Sequence, residues 1–151
     1  MKILMVCLGN ICRSPLAEGI LQQKAKENRL DINVDSAGTA AYHVGNLPDE
    51  RSIEVANKYG IDLTNQRARQ FNGTDFNKFD VIYAMDTENY NNILKLSSSA
   101  NEKEKVKLIL NEIDPRSNSS VPDPYYGGDE GFENVYQMLD LACENIVNKL
   151  K

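Results

Sequence analysis

The sequence predicts an α/β fold: a single domain with a four-stranded parallel sheet, helices on both faces, and a distinctive loop between the first strand and the first helix. Three observations carry the fold class. Strand-like apolar runs alternate with helical patterns, the connections between successive runs are long enough for crossover helices, and the last segment bears an apolar stripe that can close the core.

The first strand follows Lys2, where Ile3 to Val6 is uninterruptedly apolar, as a strand buried on both faces requires. A loop from Cys7 to Arg13 comes next. Ser14 then offers an N-cap and Pro15 a first helical residue, leading into Leu16, Ala17, Ile20, Leu21 and Ala25 at three-to-four spacing. "INVDSAG" reads as a second strand running into a turn, and Pro48 to Tyr59 as a helix closed by Gly60. "FDVIYAMD" is the third strand and "VKLIL" the fourth, with a helix from Thr87 to Leu96 between them. Phe132, Val135, Tyr136, Leu139, Ala142, Cys143, Ile146 and Leu150 fall on one face of a closing helix, which makes Cys143 a core thiol. Two irregular stretches, Ala37 to Leu47 and Asn111 to Asp129, both follow strands. In a parallel sheet they can lean over the first loop, at the strand ends where ligands bind.

The totals bound the function. With 151 residues, 41% hydrophobic and 26% charged, the chain suits one compact unit over residues 1–151. The net charge is −5 and the basic residues are scattered, so the positive footprint that nucleic acid demands is missing. The apolar stretch Ile3 to Leu8 is too short for a secretory core and is broken by Gly9 and Asn10, and no run approaches the ~20 residues of a membrane helix. A soluble, cytoplasmic protein without membrane contact is expected. Three cysteines, Cys7, Cys12 and Cys143, make no disulfide framework, and no His or Cys cluster completes a zinc site, so neither metal nor cofactor is expected.

The chemistry concentrates in "VCLGNICRSP", residues 6–15. A loop between a buried strand and the first turn of a helix aims several backbone N–H groups at one point, and the helix dipole adds positive potential there. Gly9 and Asn10 tolerate the left-handed angles such a cradle needs. Residues Leu8, Gly9, Asn10, Ile11 and Cys12 would thus surround an anion. The same field favours the thiolate of Cys7, its nucleophilic form. Arg13 closes the ring with a planar fork that can hold two oxygens of a phosphoryl group. Cys-x5-Arg alone is weak evidence; its place between a buried strand and a capped helix is what makes it chemical. A Walker-type nucleotide loop would need Gly-x4-Gly-Lys-Ser/Thr, which Arg13-Ser14 does not supply.

"VCLGNICRSPLAE", followed downstream by "DSAGT", "ARQF", "AMD" and "DPYYGG", resembles the low-molecular-weight protein tyrosine phosphatase family over nearly the whole chain. The resemblance implies a two-step reaction on phosphotyrosine-containing proteins. Cys7 attacks phosphorus, Arg13 and the loop amides hold the phosphoryl group, and Asp123 protonates the leaving phenol, then activates the water that hydrolyses the phosphocysteine. Of the two Asp-Pro steps, Asp123-Pro124 is preferred over Asp114-Pro115 because only it is followed by Tyr125 and Tyr126, which could wall a phenyl slot opposite Tyr42. The family pattern has Asn10, Ser14 and Ser36 hydrogen-bonding to shape the cradle, with Ser14 aimed at the thiolate; helix-cap and turn roles serve Ser14 and Ser36 as well. Gln66 stands where a histidine often braces the loop, keeping the hydrogen-bonding capacity and losing the titration. The sole histidine, His43, reads as an exposed loop residue. Cys12, on the same loop as Cys7, is placed to trap an oxidised nucleophile as a disulfide, a redox sensitivity weighed against simple packing. A tyrosine kinase acting on Tyr125 or Tyr126 is a candidate partner.

Three rival functions share parts of this pattern. Arsenate reductases relay a disulfide through cysteines after the third strand, a region that here reads "VIYAMDTENYNN" and holds no cysteine. A protein arginine phosphatase of the same fold would usually carry Thr where this chain has Ile11, and a single aromatic after Asp-Pro. A non-catalytic phosphotyrosine-binding module would need neither thiolate nor acid.

Overall fold

The computed structural model describes residues 1–124 and 128–151. Strand β1 (Lys2–Cys7) is buried from Ile3 onward, and its side chains divide between two cores. Ile3, Met5 and Cys7 pack with Leu16 and Ile20 of helix α1 (Arg13–Glu27) and with Leu139 and Ile146 of the closing helix over Gly128–Leu150. Leu4 and Val6 point the other way, into a cluster with Phe71, Phe76 and Ile93. A period of two on a strand covered on both sides is the reason its sequence is apolar without alternation.

The sheet is all parallel in the order β2 (Asn33–Gly38), β1, β3 (Val81–Ala84), β4 (Val106–Leu108). Cys7 lies opposite Gly38, Val6 opposite Ala84, and Ala84 opposite Leu108. The carboxyl ends of the four strands are therefore nearly level, and the loops that follow β1, β2 and β3 leave from one edge. Fold class, strand count and helices on both faces agree with the expectation from sequence.

Element boundaries differ where a side chain found a better partner. Helix α1 starts at Arg13 with Cys12 at the cap position and no side-chain cap, so Ser14 is not the N-cap. Its hydroxyl turns instead toward Cys7 and Asn10, and Pro15 sits in the first turn, where its missing N–H costs nothing. Helix α2 (Glu50–Lys58) begins after Asp49, which accepts the Arg51 N–H at 2.9 Å and thereby takes the cap two residues into the expected span. Gly60, at φ 81°, ends it as anticipated. Helix α3 (Asp75–Lys78), helix α5 (Ala100–Glu104) and the 3-10 turn Ile109–Glu112 are too short to show apolar periodicity; the last one absorbs the end of the expected fourth strand. Helix α4 (Thr87–Lys95) matches its expected span, capped by Asp86, which accepts the Asn89 N–H at 2.7 Å, and the closing helix is α6. Among the described residues no helix is long and apolar enough to cross a membrane.

Candidate active site

The loop after β1 is shaped by its carbonyls. Thr39 N–H donates to Cys7 O and Ala40 N–H to Leu8 O, each at 2.9 Å, while Asp49 N–H donates to Ile11 O at 2.8 Å and Ser52 Oγ to Cys12 O at 3.2 Å. With these carbonyls tied outward, the amide N–H groups are left for the interior of the loop. Asn10 makes the turn at φ 59°, which its short amide side chain stabilises by bonding in three directions: Nδ2 to Ser14 Oγ at 2.8 Å and Ser36 Oγ at 3.0 Å, and Oδ1 from Arg69 N–H at 3.0 Å. Glycine is needed for room at Gly38, where a Cβ would stand 2.7 Å from Leu8 O.

The Cys7 thiol is buried, with Sγ 3.0 Å from Ser14 Oγ. Arg13 is also buried; its Nη1 donates to Asp86 Oδ2 at 2.7 Å and to Val121 O at 3.0 Å. Asp86 thus serves two ends at once, capping α4 and holding the guanidinium at the loop. Val121 is tied in turn by its N–H to Met85 O at 2.8 Å, so the segment leading to Asp123 is anchored on β3's extension and on Arg13.

One cavity of about 120 Å³ is bounded by Cys7, Ile11, Arg13, Tyr42, His43 and Asp123. Leu8, Gly9 and Cys12 line the same space. Cys7, Arg13 and Asp123, the three residues that the sequence singles out, therefore line one open cavity. Asp114 does not line it; it follows the 3-10 turn, its N–H donating to Leu110 O at 3.1 Å. Tyr42 stands at the mouth, 77% exposed. Tyr125 and Tyr126 lie outside the described residues. Ser36 reaches the loop through Asn10, whereas Gln66 meets only the start of α1, donating from Nε2 to Pro15 O at 3.1 Å.

His43 departs from the sequence reading. It is half-buried, packs edge-on to Tyr42 with ring centres 6.5 Å apart, and lies so close over Gly9 that a Cβ there would meet its Cδ2 at 3.0 Å. Asp86 was also missed as a site residue; the signal was its place immediately before a helical pattern, the position of a cap at the carboxyl end of a strand. Glu18, which accepts from Ser36 Oγ at 2.7 Å, gave no sequence signal, because that partner is distant in the chain.

Burial, helped by the nearby carboxylate of Asp49 and opposed by Arg51, pushes the Cys12 thiol up to about 12, so Cys12 stays protonated near neutral pH. Among the described residues no group of three His, Cys, Asp or Glu could hold a metal ion.

Residues 2–151 match the family described as low molecular weight phosphotyrosine protein phosphatase. A Synechocystis protein whose name places it with the low molecular weight protein-tyrosine-phosphatases is 47% identical over 99% of this chain and 96% of its own. The crystal structure of a protein tyrosine phosphatase from Entamoeba histolytica superposes with a TM-score of 0.92 at 39% identity, covering 99% of this chain and 96% of that one. A Drosophila arginine phosphatase superposes equally well, with a TM-score of 0.92 at 34% identity over 100% of this chain and 98% of its own.

Proposed function

Since this chain belongs to the low molecular weight phosphotyrosine protein phosphatase family, we propose that it hydrolyses phosphotyrosine in proteins by way of a phosphocysteine on Cys7. The observation that carries the residue assignment is the single cavity shared by Cys7, Arg13 and Asp123. In the first step Cys7 Sγ attacks phosphorus in line with the phenolic oxygen. The loop amides and the Nε/Nη2 edge of Arg13 take the equatorial oxygens, and Asp123 gives its proton to the departing phenolate. In the second step ionised Asp123 takes a proton from water as that water attacks the phosphocysteine, releasing inorganic phosphate and the Cys7 thiolate. One carboxyl serves as acid and then base, so no metal ion enters the scheme. Asp86 holds the guanidinium against the loop, which keeps the fork from rotating away between turnovers.

Residues 1–151 would act as one catalytic unit in the cytoplasm, without a nucleic-acid or membrane partner. Tyr42 forms one wall for the substrate ring, and Tyr125 and Tyr126 are proposed for the other; the same two tyrosines are the proposed targets of a partner kinase. Ile11 lines the cavity and presents an apolar surface, which suits a phenyl ring better than the guanidinium of phosphoarginine. Measured side by side, kcat/KM is expected to be highest for phosphotyrosine peptides and far lower for phosphoarginine and phosphoserine peptides. A preference for phosphoarginine would transfer the assignment to the arginine-directed branch of the same fold.

Cys12 is proposed to protect the nucleophile. Peroxide converts Cys7 to a sulfenic acid; the Cys12 thiol displaces its hydroxyl, forming the Cys7–Cys12 disulfide and releasing water. Peroxide-inactivated protein should regain activity with dithiothreitol, and Cys12→Ser should inactivate at a similar rate and recover much less. Equal recovery in the two would reduce Cys12 to a packing residue.

A further inference from the structure

A chain of hydrogen bonds runs from the Cys7 thiol to a carboxyl that takes no part in the scheme above. Ser14 Oγ lies 3.0 Å from Cys7 Sγ and accepts from Asn10 Nδ2 at 2.8 Å. The same Asn10 nitrogen donates its other proton to Ser36 Oγ at 3.0 Å, and Ser36 Oγ donates to Glu18 Oε1 at 2.7 Å. The amide cannot flip to suit either serine, because Arg69 N–H occupies Oδ1.

Counting protons gives the chain a direction. Asn10 spends both Nδ2 protons on the serines. Each serine then has one proton of its own: Ser36 gives it to Glu18, and Ser14 has Cys7 Sγ at 3.0 Å and only the more distant Ala37 O at 3.5 Å. An ionised carboxylate is a strong acceptor and locks Ser36 into this order. A protonated carboxyl is a weaker acceptor and can itself donate to Ser36; the Ser36 proton then loses its charged acceptor, Ser36 Oγ becomes a poorer acceptor for Asn10, and Asn10 is held less firmly.

We propose that Glu18 is a positioning residue for the nucleophile: acting through Ser36, Asn10 and Ser14, its charge state governs how firmly the Ser14 hydroxyl is presented to Cys7. The proposal rests on Cys7 being the nucleophile of the phosphatase reaction.

The surroundings put this carboxyl within reach of neutral pH. Burial raises it to about 7; the Ser36 hydrogen bond opposes the rise, Asp35 on β2 adds to it, and Arg69 opposes it. Arg69 is itself shared with Asp35 and Asp75. The side chain of Gln66, beside α1, brings no charge; its Nε2 is spent on Pro15 O and its buried Oε1 has no hydrogen-bond partner among the described residues.

The test is the pH profile of Cys7 alkylation by iodoacetamide, an uncharged reagent that reports the thiol whether or not the protein turns over phosphotyrosine. A failed relay and a failed phosphatase assignment are therefore separable. The wild-type profile is expected to show an inflection near pH 7 beyond that of the thiol itself. Glu18→Gln should lose the extra inflection, and so should Ser36→Ala, which leaves Glu18 in place and cuts the chain. An inflection that survives Glu18→Gln would overturn the proposal. One that survives Ser36→Ala while vanishing in Glu18→Gln would overturn it too, because the charge would then act through space.

Thermal unfolding checks the titration separately. Between the ordinary carboxyl value of 4.5 and about 7 the folded protein holds a proton that the unfolded chain has lost, so the Glu18 contribution to stability falls as pH rises through that window and is level above it. Glu18→Gln lacks this loss, and its Tm relative to wild type should be higher at pH 8 than at pH 5. The same difference at both pH values would mean that Glu18 does not titrate there, and the proposal would fall.

Discussion

Cys7→Ser protein is expected to turn over neither phosphotyrosine peptides nor p-nitrophenyl phosphate, with a loss on the order of 10⁵-fold or more, while still binding vanadate or phosphate. The loss follows from replacing a thiolate by a far less acidic hydroxyl, and removing the nucleophile of a covalent mechanism costs on this scale. Binding survives because the anion is held by other groups. The loop carbonyls stay tied by Thr39, Ala40, Asp49 and Ser52, so the amides still face inward, and Arg13 stays on Asp86. Isothermal titration with vanadate separates the two outcomes. Substantial turnover by Cys7→Ser would end the covalent scheme, and loss of oxyanion binding would show that the thiol, not the cradle, holds the anion.

Asp123→Ala should slow phosphotyrosine hydrolysis by about 10²–10⁴-fold, the usual worth of a positioned general acid. The loss should be much smaller on an aryl phosphate whose leaving group is stable as the anion, since that bond breaks without a proton. Asp114→Ala serves as the control and should leave both substrates unchanged, because Asp114 does not line the cavity. Equal loss on good and poor leaving groups in Asp123→Ala would remove the carboxyl from the acid role.

The sheet and the meeting of Cys7, Arg13 and Asp123 at one cavity were legible in the sequence for related reasons. β1 is apolar throughout because it is central, and a loop leaving such a strand for a helix has few places to go but the carboxyl edge of the sheet. Cys7 and Arg13 lie within that loop, so local pattern was enough. Asp123 is more than a hundred residues away, and its selection over Asp114 came from its neighbours and from family resemblance; the cavity brings it to Cys7. The readings that failed depended on contacts between distant segments. Ser14 has every local mark of an N-cap, yet its hydroxyl is claimed by Cys7 and Asn10. His43 looks like a loop residue until the turn of residues 43–46 folds it over Gly9. The partnership of Asp86 with Arg13 spans β1 and β3, which are adjacent in the sheet and far apart in the chain.

The proposed reaction turns on transfer of a phosphoryl group to the sulfur of Cys7. Rapid acid quenching during turnover of p-nitrophenyl phosphate, followed by mass spectrometry of the peptide that contains residues 3–13, tests it. A phosphoryl group is expected on Cys7, its abundance rising to a steady state and falling as substrate is exhausted. Turnover at the full rate with no phosphocysteine formed, or with the phosphoryl group on His43 instead, would contradict it.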